Sequence, residues 1–408
     1  MNRFGQLQRH FVGLTCAVAV SAGVVAPVAS AFDGGSVVTT TDPDSSAKMK
    51  VYHFDLTGVF AKDITQTPIR EVIKDAQKYE PDYIIITLEN TWDGSLFGGL
   101  REQEIGDSDI TAFDQLFRAE DIEPIFTREI PAEWDKQPVI VYWVKQAMGG
   151  AAFLPFSCSN IYMTPEARIG GIGGMDELFD GVGDEVVREK QRSLRMGHAR
   201  GMFIQGGYDT RICRAMAERS FVLSYTNIGG RTDLLERMPQ SPTEFLLTDD
   251  GGTGDQGSAD TMEDEVRGLG DDHLTLKARQ ALDIGISKGT VSSMEQLLFE
   301  LGIARNAELI EGAGNRIMQQ WRDNVKKAPR QLQDLVREYQ EAGSQPANSI
   351  RDRRRAISTQ IRKLKEMEAL IKRYEEAIGP ELGRYGIPGL DQIGQLKVQH
   401  ELELLLLR

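Results

Sequence analysis

Between residues 50 and 303, short apolar runs alternate with segments whose apolar residues recur every three or four positions. Val51–Thr57 and Tyr83–Leu88 have the length and composition of strands, and Ile69–Tyr79 between them has helical period. Ser108–Ala119 predicts a helix, Pro138–Val144 a buried strand, Ile161–Met163 a short strand and Asp184–Gly206 a long helix. Phe221–Tyr225 and Phe245–Leu247 predict further strands, and Leu274–Gly285 and Ser293–Leu301 two closing helices. Alternation of this kind predicts a layered α/β domain with helices packed on a sheet.

From about Glu311 the pattern changes to charged and helical, with Pro329 and the stretch Gly343–Ala347 expected to break it into pieces. Ile357, Ile361, Leu364, Met367, Ile371, Tyr374 and Ile378 form an amphipathic stripe. Such a stripe suits a short coiled coil, or a helical arm covering the domain's own apolar surface. Two polar stretches punctuate the chain. Asp33–Lys48 has the composition of a tether, and Thr248–Asp264 that of an acidic surface loop. Clustered carboxylates suit calcium, but the spacing of that loop matches neither an EF-hand nor an RTX repeat.

The first residues carry their own pattern. Arg3 and Arg9 precede an apolar stretch from Phe11 to Val25, and Ala29-Ser30-Ala31 fits a small-residue cleavage site. A signal peptide over 1–31, cleaved after Ala31, predicts an exported chain, periplasmic or extracellular; a membrane enters only if the signal stays uncleaved. The formal charge of −14 excludes a nucleic-acid binder, which gathers Lys and Arg on one face. Beyond the signal only Cys158 and Cys213 remain, too few for a disulfide scaffold, and two buried free thiols are expected.

Five stretches, in order, carry a resemblance to a known family. They are VYHFDLTGVF (Val51–Phe60), YIIITLENTWDG (Tyr83–Gly94), PVIVYWVKQAMGGAAF (Pro138–Phe153), IYMTPEARIGGIGG (Ile161–Gly174) and LTLKARQALDIGISKGTVSSMEQLL (Leu274–Leu298). Together they resemble the Clp-protease/crotonase superfamily, most closely its signal-peptide peptidases and NfeD-type membrane-bound serine proteases. The resemblance implies a ClpP/crotonase-like domain over 49–305, after a linker at 32–48 and before a helical extension over 306–408. It also implies acyl transfer by a Ser–Lys dyad, in which a serine oxygen attacks a peptide carbonyl and a neutral lysine takes its proton. Backbone N–H groups of a Gly-Gly turn hold the oxyanion.

Carried over residue by residue, the machinery is incomplete. Counted back from Ile161, the family's Ser-Ala-Gly falls on Gly149-Gly150-Ala151, so Gly149 stands at the nucleophile position without a side chain. Lys190 lies seventeen residues before Gly207-Tyr208-Asp209, which matches the spacing of the family's base. Val187, Lys190, Leu194, Gly197 and Gly201 share a helical face that would aim this lysine at apolar surroundings, as a lysine base requires. The family's Thr-Pro-Gly-Gly maps onto Thr91-Trp92-Asp93-Gly94, leaving Gly94 and Gly150 as oxyanion-hole equivalents and placing a carboxylate beside them. Ser95 is a substitute nucleophile by position. Ser157, Cys158 and Ser159 map to a helix packed behind the site, where a packing role is expected. His53, His198 and His273 show no metal-ligand spacing and no evident Ser or Asp partner, and His53 is expected as a core histidine.

Three readings follow from the resemblance. The first is a catalytically impaired homologue that binds peptides or unfolded protein segments without cutting them. The second is an active peptidase using Lys190 and an unrecognised serine, Ser95 the candidate. The third is crotonase-type chemistry on acyl thioesters, which export of the chain disfavours. No cofactor or metal is expected, and the family implies a homo-oligomer.

Overall fold

Period-two alternation decides the two faces of the main sheet. Along strand β1 (Met49–Gly58), Tyr52, Phe54 and Leu56 enter the larger core, while Val51 enters a smaller one on the opposite face. Helix α1 (Gln66–Gln77) follows, burying Ile69, Val72, Ile73 and Ala76. Strand β2 (Tyr83–Asn90) repeats the division, with Ile84, Ile86 and Leu88 on one side and Ile85 on the other. The chain here is a computed structural model, which describes residues 48–91, 116–170, 183–218, 221–248, 274–344, 346 and 348–407. Residues from Ala47 onward form one unit. The expected signal peptide, most of the tether, the acidic loop beyond Thr248, and His273 lie outside the described residues.

The remaining elements follow in order. Helix α2 (Leu116–Pro124) runs through a π turn (Ile125–Glu129) into α3 (Ile130–Glu133). Strand β3 (Val139–Met148) leads through a 3-10 turn (Gly149–Ala152) into α4 (Phe153–Phe156), and β4 (Ile161–Gly170) precedes α5 (Glu185–Gly206) and α6 (Thr210–Ala217). Strands β5 (Ser224–Ile228), β6 (Arg231–Leu235) and β7 (Glu244–Leu246) make a small antiparallel sheet. Then come β8 (Thr275–Lys277), α7 (Ala278–Asp283), α8 (Met294–Glu300), β9 (Ala307–Ile310), α9 (Gly314–Ser344), α10 (Ile350–Ile378) and α11 (Leu390–Leu406).

The main sheet has the order β8-β4-β3-β2-β1-β9. Its neighbours run parallel except β8, which pairs antiparallel with β4. The architecture is the expected layered α/β sheet followed by a helical C-terminal region. Two local expectations need correction. Leu274–Gly285 is not one helix: buried Leu274 and Leu276 alternate with more exposed neighbours, and that period makes β8 before α7 begins. Pro329 does not break the helix. Its missing N–H deprives the Val325 carbonyl of a partner, yet buried Val325, Ala328 and Leu332 hold α9 against α10 through that point. The predicted stripe on α10 faces the same core, with Leu364, Met367, Ile371 and Tyr374 buried.

The helical region is also tied to the sheet domain. Gly314 opens α9 so close to β1 that a Cβ there would lie 2.9 Å from Phe54 Cβ. Asp75 of α1 accepts from the Tyr52 hydroxyl at 2.8 Å and from the Ala313 N–H at 2.7 Å. Lys62 pairs with Glu381 at 3.2 Å, and the Trp321 indole donates to the Lys62 carbonyl at 3.0 Å.

Candidate functional site

The parallel strands β1 to β4 end together at Gly58, Asn90, Met148 and Gly170, the side of such a sheet where ligands are bound. Asn90 joins two of these ends. Its side-chain amide donates to the Met148 carbonyl at 2.9 Å, and its Oδ1 accepts from the Met148 N–H at 2.9 Å. The residue is 2 % exposed, so both bonds form out of water and replace the ladder that a bulge at Lys145 disturbs. Thr91 N donates to Gly58 O at 2.7 Å, which ties β1 into the same corner.

The chain turns immediately after this clamp. Gly149 has φ +64°, in the left-handed region, where a residue with a Cβ would be strained by roughly 1 kcal/mol. Gly149, Gly150, Ala151 and Ala152 are all buried. The position at which the resemblance calls for a nucleophile is thus a glycine in a buried bend. Asp93, Gly94 and Ser95 lie outside the described residues.

Ser157 and Cys158, expected behind the site in a packing role, make local contacts. The buried Ser157 hydroxyl donates to Leu154 O at 2.6 Å, closing the end of α4. Cys158 lies 3.4 Å from Ile140 O, at the start of β3. Met148 lies eight steps along the strand from Ile140, roughly 26 Å at 3.3 Å per residue, so the thiol sits at the far end of the strand. Burial pushes the Cys158 thiol up to about 11 and the Cys213 thiol up to about 12, so neither is a thiolate near neutrality. Both are free thiols, with Cys213 buried and Cys158 partly so.

Helix α5 presents two unlike faces. Met196, Ala199, Met202, Phe203 and Gly206 are buried, and the Phe203 ring stacks on Phe156 of α4 at 4.0 Å. At Gly206 a Cβ would meet the Phe156 carbonyl oxygen at 2.1 Å, so only glycine permits that approach. The face carrying Lys190 is the other one. Lys190 is exposed, Val187 and Leu194 are 43 % and 53 % exposed, and a Cβ on Gly197 or Gly201 would meet nothing within 4 Å. This corrects the expected apolar setting of Lys190. The stronger stripe of Met196, Ala199, Met202 and Phe203 took the buried side, and the weaker stripe turned outward. The residue seventeen positions on, Gly207, ends α5 in the left-handed conformation at φ +85°. Asp209 then caps α6 through the Arg211 N–H.

Two histidines have carboxylate partners, where none was expected. His53 is no core histidine, for its side chain is 27 % exposed, on the face of the sheet that carries the smaller core. Its Nε2 lies 2.7 Å from Thr87 Oγ1 and 3.2 Å from Asp55 Oδ1. The hydrogen bond from His53 holds the Asp55 carboxyl below its ordinary range, against the effect of burial. A groove of about 520 Å³ opens there, bordered by His53, Trp143, Leu309 and Asn315. The second, His198 on α5, has Nδ1 2.5 Å from Glu120 Oε1 on α2. Period-two placement of His53 and Asp55 on one face of β1 was readable from sequence; the cross-strand Thr87 and the distant Glu120 were not. No group of three or more His, Cys, Asp or Glu that could hold a metal occurs among the described residues, and no helix among them is long and apolar enough to cross a membrane.

No protein-family model matches the chain, and no curated protein matches it. Among solved structures it is similar to a serine-to-alanine mutant of the 1510-N membrane-bound stomatin-specific protease. That likeness has 12% identity and a TM-score of 0.35, over 65% of this chain and 99% of the other. A lysine-to-alanine mutant of the 1510-N protease, in complex with a substrate peptide, is similar at 13% identity and a TM-score of 0.34, over 65% of this chain and 92% of the other.

Proposed function

We propose that this chain is a catalytically impaired relative of the Ser–Lys peptidases, exported, whose corner at the strand ends binds peptide segments without cleaving them. The observation that carries the reading is Gly149, a left-handed buried glycine at the bend after β3, where the family resemblance calls for the attacking hydroxyl. Acyl transfer needs an oxygen or sulfur beside a base of matched pKa. The bend offers neither, and the lysine at the base position is exposed rather than desolvated. Main-chain hydrogen bonds give an extended peptide affinity without any side-chain chemistry, so loss of the attacking group does not by itself remove peptide binding.

The test uses the purified protein with a pool of fluorescently labelled unstructured peptides, followed by polarisation and by chromatography of the products. Saturable binding with intact peptides is expected. Turnover by the wild type that disappears in Lys190→Ala would overturn the reading in favour of an active peptidase. Absence of any binding would overturn its peptide-holding part.

A further inference from the structure

The cleft between α2 and α5 is lined by no residue of the Gly149 bend and has a volume of about 410 Å³, within the roughly 300–1,000 Å³ of small-ligand sites. Glu120, Glu123 and Arg128 line one wall, and His198, Gly201 and Gln205 the other. The wall on α2 is locally remade by Pro124. A proline has no N–H and its ring crowds the carbonyl four residues back, here that of Glu120, and the helix widens into a π turn directly afterwards. Turns of this type recur at functional sites.

The polar groups of the cleft are unequally occupied. Glu120 is taken up by His198 Nδ1 at 2.5 Å. Glu123, 8 % exposed, has its Oε1 2.5 Å from the Thr127 hydroxyl, which also lies 3.2 Å from the Glu123 carbonyl. Both carboxylates are thus engaged within the wall. Arg128 is exposed and has no ion-pair partner among the described residues. The contact of Glu120 with Nδ1 also sets the imidazole: in the neutral ring Nδ1 carries the proton donated to the carboxylate, and Nε2 keeps its lone pair. The cleft therefore presents one unpaired cation and one oriented hydrogen-bond acceptor. On the wall opposite Arg128, Gly201 leaves space where a Cβ would meet nothing within 4 Å.

From this arrangement we infer that the α2–α5 cleft binds a carboxylate flanked by a hydrogen-bond donor, as at the free C-terminus of a peptide. Arg128 pairs with the carboxylate, in the two-pronged manner that guanidinium groups favour, and His198 Nε2 accepts from the adjacent N–H. Glu120 is a positioning residue, acting through the imidazole. The inference stands on these side chains and does not require the Gly149 corner to bind anything.

The experiment titrates the full chain with a pool of N-acetylated tripeptides of random sequence, as free acids and as C-terminal amides, by calorimetry. The free acids are expected to bind at least about tenfold more tightly than the amides, because a charge-assisted hydrogen bond is lost. Arg128→Gln is expected to abolish that preference, while loss of a cation elsewhere, at exposed Lys326 of α9 (Lys326→Gln), leaves it unchanged. Nitrogen-15 spectra of the histidines give a readout free of ligand, with His198 expected as the Nδ1–H form and shifting toward mixed tautomers in Glu120→Gln. Equal affinity for acids and amides, no binding of either, or a preference that survives Arg128→Gln would overturn the proposal.

Discussion

The corner at the end of β3 and the outer face of α5, where the resemblance calls for a nucleophile and a base, differ in almost every respect. The corner is buried, built from glycine, alanine and main chain, and clamped by one asparagine. The α5 face is exposed and rich in side chains, with Lys190, Leu194 and His198 on it. A Ser–Lys mechanism needs the opposite distribution, a reactive side chain at the bend and a lysine shielded from water. The contrast teaches that the buried corner is built from main chain, while the side chains able to do chemistry lie on a separate, exposed surface.

The contrast can be broken most severely from the buried side of α5. Gly206→Ala places a Cβ on the Phe156 carbonyl and should cost about 3 kcal/mol, at the upper end of overpacking, in urea unfolding. Asn90→Ala removes both bonds to Met148 and leaves a buried N–H and C=O unpaired, so a loss of about 2–3 kcal/mol is expected by the same measurement. An unchanged midpoint in either variant would show that the corner is not the rigid element described here.

A smaller effect is expected at the joint between α1 and the start of α9. Burial alone would raise the Asp75 pKa, but the Ala313 N–H, Lys78 and the Tyr52 hydroxyl outweigh it and hold the carboxyl below its ordinary value. A carboxyl depressed in the folded state stabilises above its unfolded pKa, and that contribution is lost as pH falls through the folded value. Stability should therefore drop on acidification below the ordinary carboxylate range, and Asp75→Asn should lower stability at pH 7 while flattening that drop. A variant whose acid profile matches the wild type would contradict this.

The smallest effects belong to the exposed face. Gly197→Ala meets no atom within 4 Å and should stabilise α5 by about 0.5–1 kcal/mol through helix propensity alone. Lys190→Ala should change the unfolding midpoint by less than about 0.5 kcal/mol, as for other exposed positions. A large loss in either would mean that this face is covered.

Much of the sheet was legible because Val51–Thr57 and Tyr83–Leu88 are apolar runs of strand length, and a period of two then sends Tyr52 and Phe54, like Ile84 and Ile86, to one face. The glycine at the bend was legible by position, counting back from Ile161. The setting of Lys190 was not. Two apolar stripes compete on α5, and only the packing of Phe203 on Phe156 decides between them. Glu120 and His198 lie 78 positions apart, and nothing in local period links a residue on α2 to one on α5. The Asn90 clamp was hidden for the same reason, since a side chain bonding to main chain across 58 positions leaves no pattern in the sequence.

The central claim is that no attacking group stands at the bend after β3. Intact-mass analysis of the purified chain after exposure to a fluorophosphonate tests it most directly. No adduct is expected on the wild type at concentrations that label a reactive serine to completion. An adduct mapped to a single serine, formed by the wild type and absent in Lys190→Ala, would contradict the account.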